Sequence, residues 1–282
     1  MNDLQKKELE LFKAFAEVCE KHHLQYFLVG GSALGAIRHK GFIPWDDDID
    51  VGMPRKDYDQ FMLLQDEFKG TPYFIQNFRT DPCYVYNYGK LRDSSTTFIE
   101  NLYKNHRINH GVWLDIFPID GFSKKKKPRE KFANKIMYIW LQVYCSYMWA
   151  LRRKVRKQTW LKDILLNIAA GFFFILDIGH YRNKKVERIV HKIPLEESTM
   201  GGNFFGFNMK REAMDSSIYK EFIKVPFEDT EAYVLKNYDT YLRNLYGEYM
   251  TPPPEGKQYG HHHHKGLDLN MGYEEYIRQH KI

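Results

Sequence analysis

Trp45-Asp46-Asp47-Asp48-Ile49-Asp50-Val51 is the stretch on which the reading of this chain turns. Side chains alternate faces along an extended strand, so Asp48 and Asp50 point the same way, and Asp46 joins them if the strand starts early enough. Carboxylates that close repel one another unless a cation sits between them. Hard oxygen ligands suit Mg²⁺, which keeps some waters and shares itself with substrate phosphates. Paired ions of this kind activate an attacking oxygen and neutralise a leaving one. A solvated acidic turn is the plainer alternative. Against it, Ile49 and Val51 fall on the opposite, apolar face, and Trp45 packs beside them.

A third carboxylate is expected from Gly111-Val112-Trp113-Leu114-Asp115-Ile116-Phe117, an apolar strand carrying one charge. An isolated Asp there is costly unless it is paired or metal-bound. Asp115 is therefore the third candidate, as ligand or as general base for an acceptor hydroxyl. Asp120, after Pro118, reads as a turn residue. Upstream, Val29-Gly30-Gly31-Ser32 marks a strand-to-helix junction. Glycines there let backbone N–H groups approach a phosphate, and Ser32 either donates to that phosphate or caps the helix. Arg38 precedes the acidic strand and is a candidate for a diphosphate. Lys90 and Arg92 alternate onto one strand face and are further candidates, with ordinary salt bridging as the alternative. The run His261–His264 reads as a surface loop, with His264 the member most able to line an acceptor side. Trp113, Tyr246 and Tyr249 are cage candidates for a quaternary ammonium, core packing being the alternative for each.

These motifs sit in 282 residues that are 43% apolar and 28% charged, enough for a sizeable core without staples. Three scattered cysteines, Cys19, Cys83 and Cys145, show no metal or disulfide spacing and point to a reducing compartment. MNDLQKKELELF lacks the apolar stretch of a signal peptide, and the longest apolar run, 164–176, is too short to span a bilayer as a helix. The expected location is the cytoplasm, with peripheral contact at the inner face of the membrane as an option. Helical spacing covers 4–23, and a strand over 25–30 leads into the glycine turn and a short helix. Pro54 ends the acidic strand. Residues 55–69 read as helix, and 73–78, 84–92 and 112–117 as strands. The alternation predicts an α+β core over 1–122. Residues 123–200 form a basic, aromatic helical insertion, and 201–282 return to complete the core, with a loop over 201–208 and a helix around 228–246.

The formal net charge of +6 is concentrated in the insertion, where KKKK, RRKVRK and YRNKK are interleaved with aromatics. That composition suits either a helix pair lying on anionic lipid or a helical subdomain with a basic solvent face. No recognition motif accompanies the charge, so nucleic acid is not an expected partner.

Taken together, LVGGSALGAIRHKGFIPWDDDIDVGMPRKDYDQF resembles the signature of the LicD family, WLDIFPIDG its next motif, and LRNLYGEYMTPPP its YG-aromatic-Met-proline segment. The similarity runs in order from about residue 4 to 264, with a variable middle. The resemblance implies a nucleotidyltransferase-like mixed sheet with helices. It implies transfer of a phospho-group, phosphocholine from CDP-choline above all, onto a cell-surface or lipid-linked glycan; fukutin-related proteins of the same family use CDP-ribitol. Carried over by motif, Gly31 and Ser32 form the phosphate turn and Asp48 and Asp50 hold metal, with Asp115 less directly matched. The spacing from GGS to the aspartates is longer than in generic nucleotidyltransferases. Attack on the α-phosphorus of an NTP with release of pyrophosphate would use the same carboxylates, as would phosphoribitol or phosphoglycerol transfer.

Overall fold

A computed structural model describes residues 1–84, 86–101, 103–104, 107–122, 178–206, 208–260 and 262–281. The expected insertion therefore lies largely outside the described residues, as do His261 and the apolar run 164–176. Among the described residues no helix is long and apolar enough to cross a membrane.

Helix α1, Asp3–Lys21, opens on a capping box in which Asn2 and Gln5 exchange side-chain and backbone hydrogen bonds. Its apolar face, Leu11, Phe12, Phe15 and Cys19, is fully buried. Strand β1, Phe27–Leu28, is followed at once by α2, Gly30–His39. Strand β2, Asp50–Pro54, leads into α3, Arg55–Phe61. Then come β3 (Tyr73–Gln76), β4 (Gly89–Asp93), β5 (Thr97–Glu100) and the long β6 (Val112–Phe122). Helix α4, Ile178–Val190, precedes β7 (Met200–Asn203), the short α5 (Met209–Glu212) and β8 (Met214–Asp215). A hairpin of β9 (Phe222–Phe227) and β10 (Thr230–Leu235) leads to α6 (Tyr238–Tyr246), β11 (His264–Asp268) and α7 (Tyr273–His280).

The main sheet runs β1-β2-β6-β4-β3, with β7 on the far half of β6 and β8 beyond it. Among the described residues of this sheet only β2 and β6 run parallel. The α+β class and a mixed sheet are thus as expected. The pairing of β6 with β7 and of β5 with β11 brings residues beyond 200 into contact with the first 122. Val186, Ile189 and Val190 of α4 pack with Tyr84, Tyr86, Tyr103 and Phe204 in a second apolar cluster.

Several expectations are corrected. The acidic strand begins only at Asp50, because Asp46–Asp48 are drawn into separate side-chain contacts described below. The helix over 55–69 stops at Phe61 and resumes as a 3-10 turn, Gln65–Phe68. The strand expected over 84–92 begins only at Gly89. The loop over 201–208 starts as strand β7. The helix around 228–246 is half hairpin: β9 and β10 pair antiparallel across a turn at Glu228-Asp229, and only Ile223–Phe227 alternates with the period of a strand. Strand β6 runs through Pro118. That is tolerable because the β4 ladder ends at Ile116 and the β7 ladder begins at Ile119, so the missing N–H faces neither. Asp120 is not a turn residue. It is buried within β6 and accepts Arg55 Nε and Nη2, both at 2.7 Å.

Candidate active site

The register of three strands builds the site's floor. Asp50 of β2 lies opposite Asp115 of β6, and Asp115 lies opposite Lys90 of β4. Residues in register on adjacent strands project to the same face. One row across the sheet thus reads Lys90, Asp115, Asp50. Asp48, two residues before Asp50, completes it, and single ligand oxygens of Asp48, Asp50 and Asp115 all lie within 4.8 Å of one another. The structure thus brings Asp115 together with the other two.

Helix α1 and the glycine turn hold the acidic segment in place. Gln5 Nε2 donates to the carbonyls of Ile43 (3.3 Å) and Asp46 (3.0 Å). Asp50 N–H donates to Ser32 Oγ at 2.8 Å. Ser32 therefore caps nothing, since α2 has no side-chain cap; its buried hydroxyl fixes where β2 starts. Gly30 adopts φ +54°, and its N–H donates to Tyr241 Oη of α6 at 3.0 Å. Gly31 lies against Asp46: a Cβ there would stand 2.9 Å from Asp46 Oδ2.

Electrostatics follow from this crowding. Burial, then Asp48, Asp115 and Asp46, push the Asp50 carboxyl well above the usual carboxylate range. Burial and the charges of Asp48 and Asp47 lift Asp46 to about 8. Asp115 is also raised by burial, which the Lys90 ammonium, 2.7 Å from Oδ1, opposes. Trp113 Nε1 donates to the other oxygen, Asp115 Oδ2, at 3.0 Å. An all-oxygen set of crowded, reluctantly ionised carboxylates fits a hard divalent cation.

Above the floor opens a cleft of about 930 Å³. Gly31, Arg38, Lys90, Asp46, Asp48, Asp50, Glu100 and Asp115 line it, with an aromatic wall of Trp45, Tyr86, Tyr88, Tyr103, Tyr246 and Tyr249. Arg38 sits at its rim, Nη1 donating to Tyr249 O at 2.7 Å. Tyr246 exposes much of its ring yet turns its hydroxyl toward Gly30, 3.8 Å from where a Cβ would lie.

Three candidates are placed elsewhere. Arg92 does not line the cleft. It is buried, donates to Gln76 Oε1 (2.8 Å) and Gly111 O (2.7 Å), and lies 4.0 Å from Glu100. Trp113 is no cage residue: Lys90 and Arg92 lie over its ring, at 4.4 and 5.0 Å from the centroid. Of the histidine run, His262 and His263 line the cleft. His264, in β11, instead packs its ring against Phe98 of β5.

Sequence reading missed two residues that the fold brings in. His262 Nε2 lies 2.9 Å from Asp48 Oδ2 and Nδ1 lies 3.2 Å from Glu100 Oε1. Its backbone N–H donates to Asp47 Oδ2 at 2.9 Å. Against the cost of burial, those two carboxylates hold the imidazole protonated, up to about 11. Glu100 is buried too, yet Lys90, His262 and Arg92 keep it down at about 2. The strand Thr97–Glu100 ends on that single acid, the same pattern that singled out Asp115.

The profile of the LicD/FKTN/FKRP nucleotidyltransferase domain matches residues 23–141, which include the glycine turn, the acidic segment and Asp115. The lipopolysaccharide cholinephosphotransferase LicD of Haemophilus influenzae is 31% identical over 259 residues, spanning 90% of this chain and 92% of that protein. An uncharacterised protein of Rickettsia typhi is 36% identical over 76 residues, 26% of this chain and 25% of that protein. The human ribitol 5-phosphate transferase FKRP is 50% identical over 40 residues, only 14% of this chain and 8% of that protein. Similarity carried along nearly the whole of two chains, with the acidic row inside the matched domain, places this protein in the LicD family.

Proposed function

We propose that the protein moves a phospho-alcohol, phosphocholine in the first instance, from a CDP-alcohol to a hydroxyl of a cell-surface or lipid-linked glycan, with Mg²⁺ as cofactor. The observation that carries this reading is the convergence of Asp48, Asp50 and Asp115 at the floor of an aromatic cleft. The names of two relatives, a cholinephosphotransferase and a ribitol 5-phosphate transferase, both describe movement of a phospho-alcohol.

Asp48, Asp50 and Asp115 are the residues that would hold Mg²⁺, which when bound neutralises the diphosphate and the leaving nucleotide. The chain's own groups do the rest. Lys90 and Arg38 face the phosphates from two sides of the cleft. The glycine turn at Gly30-Gly31, whose Gly30 N–H is held by Tyr241, opens α2 and offers the positive end of a helix. The acceptor oxygen bonds to the distal phosphorus as its bond to CMP breaks, and the hydroxyl proton passes to a carboxylate, for which Asp115 is our candidate. Tyr246, Tyr249 and Trp45 supply faces for a base or a quaternary ammonium. The basic aromatic residues 124–192 are proposed to meet anionic lipid, so vesicle binding should weaken with added salt.

The deciding experiment supplies CDP-choline, CDP-ribitol, CDP-glycerol and NTPs, with and without Mg²⁺, and measures CMP and pyrophosphate. Mg²⁺-dependent CMP from a CDP-alcohol, absent in Asp48→Asn, is the expected result. Pyrophosphate from an NTP would replace it with nucleotidyl transfer, and neither product from any donor would overturn it.

A further inference from the structure

The geometry points to His262 as a positioning residue for Asp48. The inference rests on the metal site proposed above and concerns a residue outside the matched span 23–141. Four contacts fix this residue. Nε2 meets Asp48 Oδ2, Nδ1 meets Glu100 Oε1, the backbone N–H meets Asp47, and the ring stands edge-on to Trp113 at 5.1 Å between centroids. Trp113 in turn donates to Asp115. Gly260 lets the backbone in: a Cβ there would stand 2.4 Å from Asp47 Oδ2. The C-terminal segment is thereby laid over the acidic segment.

A ring held from both nitrogens cannot rotate, and it holds one oxygen of Asp48 in turn. The other oxygen is left for the cation shared with Asp50 and Asp115. Groups of this kind orient a ligand without touching the ion, and their loss typically weakens metal affinity about 10–100-fold. The rival role is a strap alone, in which His262 merely ties its segment down through Glu100 and Asp47.

Two neutral substitutions separate these roles. In His262→Gln the side-chain nitrogen reaches the place of Nε2 and can still donate to Asp48. In His262→Asn it reaches the place of Nδ1 and can donate only to Glu100. Both remove the same positive charge, so its direct effect on a bound cation cancels between them. The measurement is Mn²⁺ and Mg²⁺ affinity of the full chain by calorimetry, without substrate, beside the melting temperature in EDTA. Positioning predicts that Asn binds Mn²⁺ at least about 10-fold more weakly than Gln. Equal affinities for the two, or tighter binding by Asn, would overturn it, whatever the melting temperatures. A wild-type chain that binds neither ion, or an Asp48→Asn variant that binds like the wild type, would instead sink the metal site and this inference with it.

Discussion

Asp50→Asn should make the metal-free protein more stable while removing its response to Mg²⁺. Ligand oxygens of Asp48, Asp50 and Asp115 lie within 4.8 Å. Two full charges at that distance repel by about 3.5 kcal/mol at an effective dielectric near 20. The metal-free protein already relieves part of this, because burial and its acidic neighbours raise the Asp50 carboxyl and keep it partly protonated. The net gain on neutralising it is therefore a fraction, about 1–2 kcal/mol, or roughly 2–5 °C in melting temperature. The sign with pH follows from linkage. A carboxyl raised in the folded state stabilises below its ordinary range, and that contribution is lost as pH rises through the raised value. The gap between variant and wild type in EDTA should thus be absent near pH 4 and widen toward neutrality. Saturating Mg²⁺ reverses the order: at 100 times its dissociation constant a ligand adds about 2.7 kcal/mol to the form that binds it. Differential scanning fluorimetry across pH, in EDTA and in Mg²⁺, tests both halves. A variant less stable than wild type in EDTA at pH 7.5, or equally stabilised by Mg²⁺, would refute the reasoning.

Other substitutions follow from the same geometry. Gly31→Ala adds a Cβ 2.9 Å from Asp46 Oδ2 inside α2; alanine's helix preference, about 1 kcal/mol, offsets the crowding in stability, so the melting temperature should hold while CMP release falls about 10-fold or more. Arg92→Met should unfold at lower temperature, losing about 3–5 kcal/mol as Glu100 and the Trp113 face lose their cation. Arg38→Ala should instead raise the KM for the donor with only a small change in melting temperature, because Arg38 lies at the cleft rim. Glu212, raised to about 8 by burial against hydrogen bonds from Tyr241 and Asn203, stabilises below its ordinary range and loses that as pH rises through 8. Glu212→Gln should therefore match wild type near pH 5 and melt higher at pH 8.5; a lower melting temperature at pH 8.5 would show the charge is wanted there.

What the sequence made legible was local. The acidic segment and the lone charge in Gly111–Phe117 could be read because an unshielded carboxylate in an apolar stretch needs a reason, whatever surrounds it. Gly30-Gly31 could be read because a strand-to-helix turn has few chemical solutions. What escaped depended on contacts far along the chain. His262 is one of four adjacent histidines, and only the β5–β11 pairing selects it over its neighbours. Arg92 and Lys90 have the same spacing and type, and only the fold sends Lys90 to Asp115 and Arg92 to Gln76 and Gly111. Asp120 looked like a turn because Pro118 precedes it, yet Arg55, 65 residues away, makes it a buried partner. The β9–β10 hairpin was different: a two-residue period shows only over Ile223–Phe227, Ala232–Leu235 is continuously apolar, and the charged turn Glu228-Asp229, with Glu228 at φ +54°, lacks the glycine that usually marks such a reversal.

The distribution of charge around the floor bears on the proposed cation. Five carboxylates, Asp46, Asp48, Asp50, Glu100 and Asp115, face three cationic groups, Lys90, Arg92 and His262. The cations are not spread evenly. Arg92 and one side of His262 serve Glu100, which is held down at about 2. Lys90 is shared by Glu100 and Asp115. Asp46 and Asp50 are left with acidic neighbours, and they are the two whose carboxyls rise most clearly on the acidic segment. Without a metal, burial and those neighbours favour their protonated forms. A cation held by Asp48, Asp50 and Asp115 would offset negative charge where the fixed cations do not reach. Strand register makes this arrangement hard to evade. Moving Asp50 or Asp115 by one residue would send its carboxylate to the opposite, apolar face, where burial alone would forbid it.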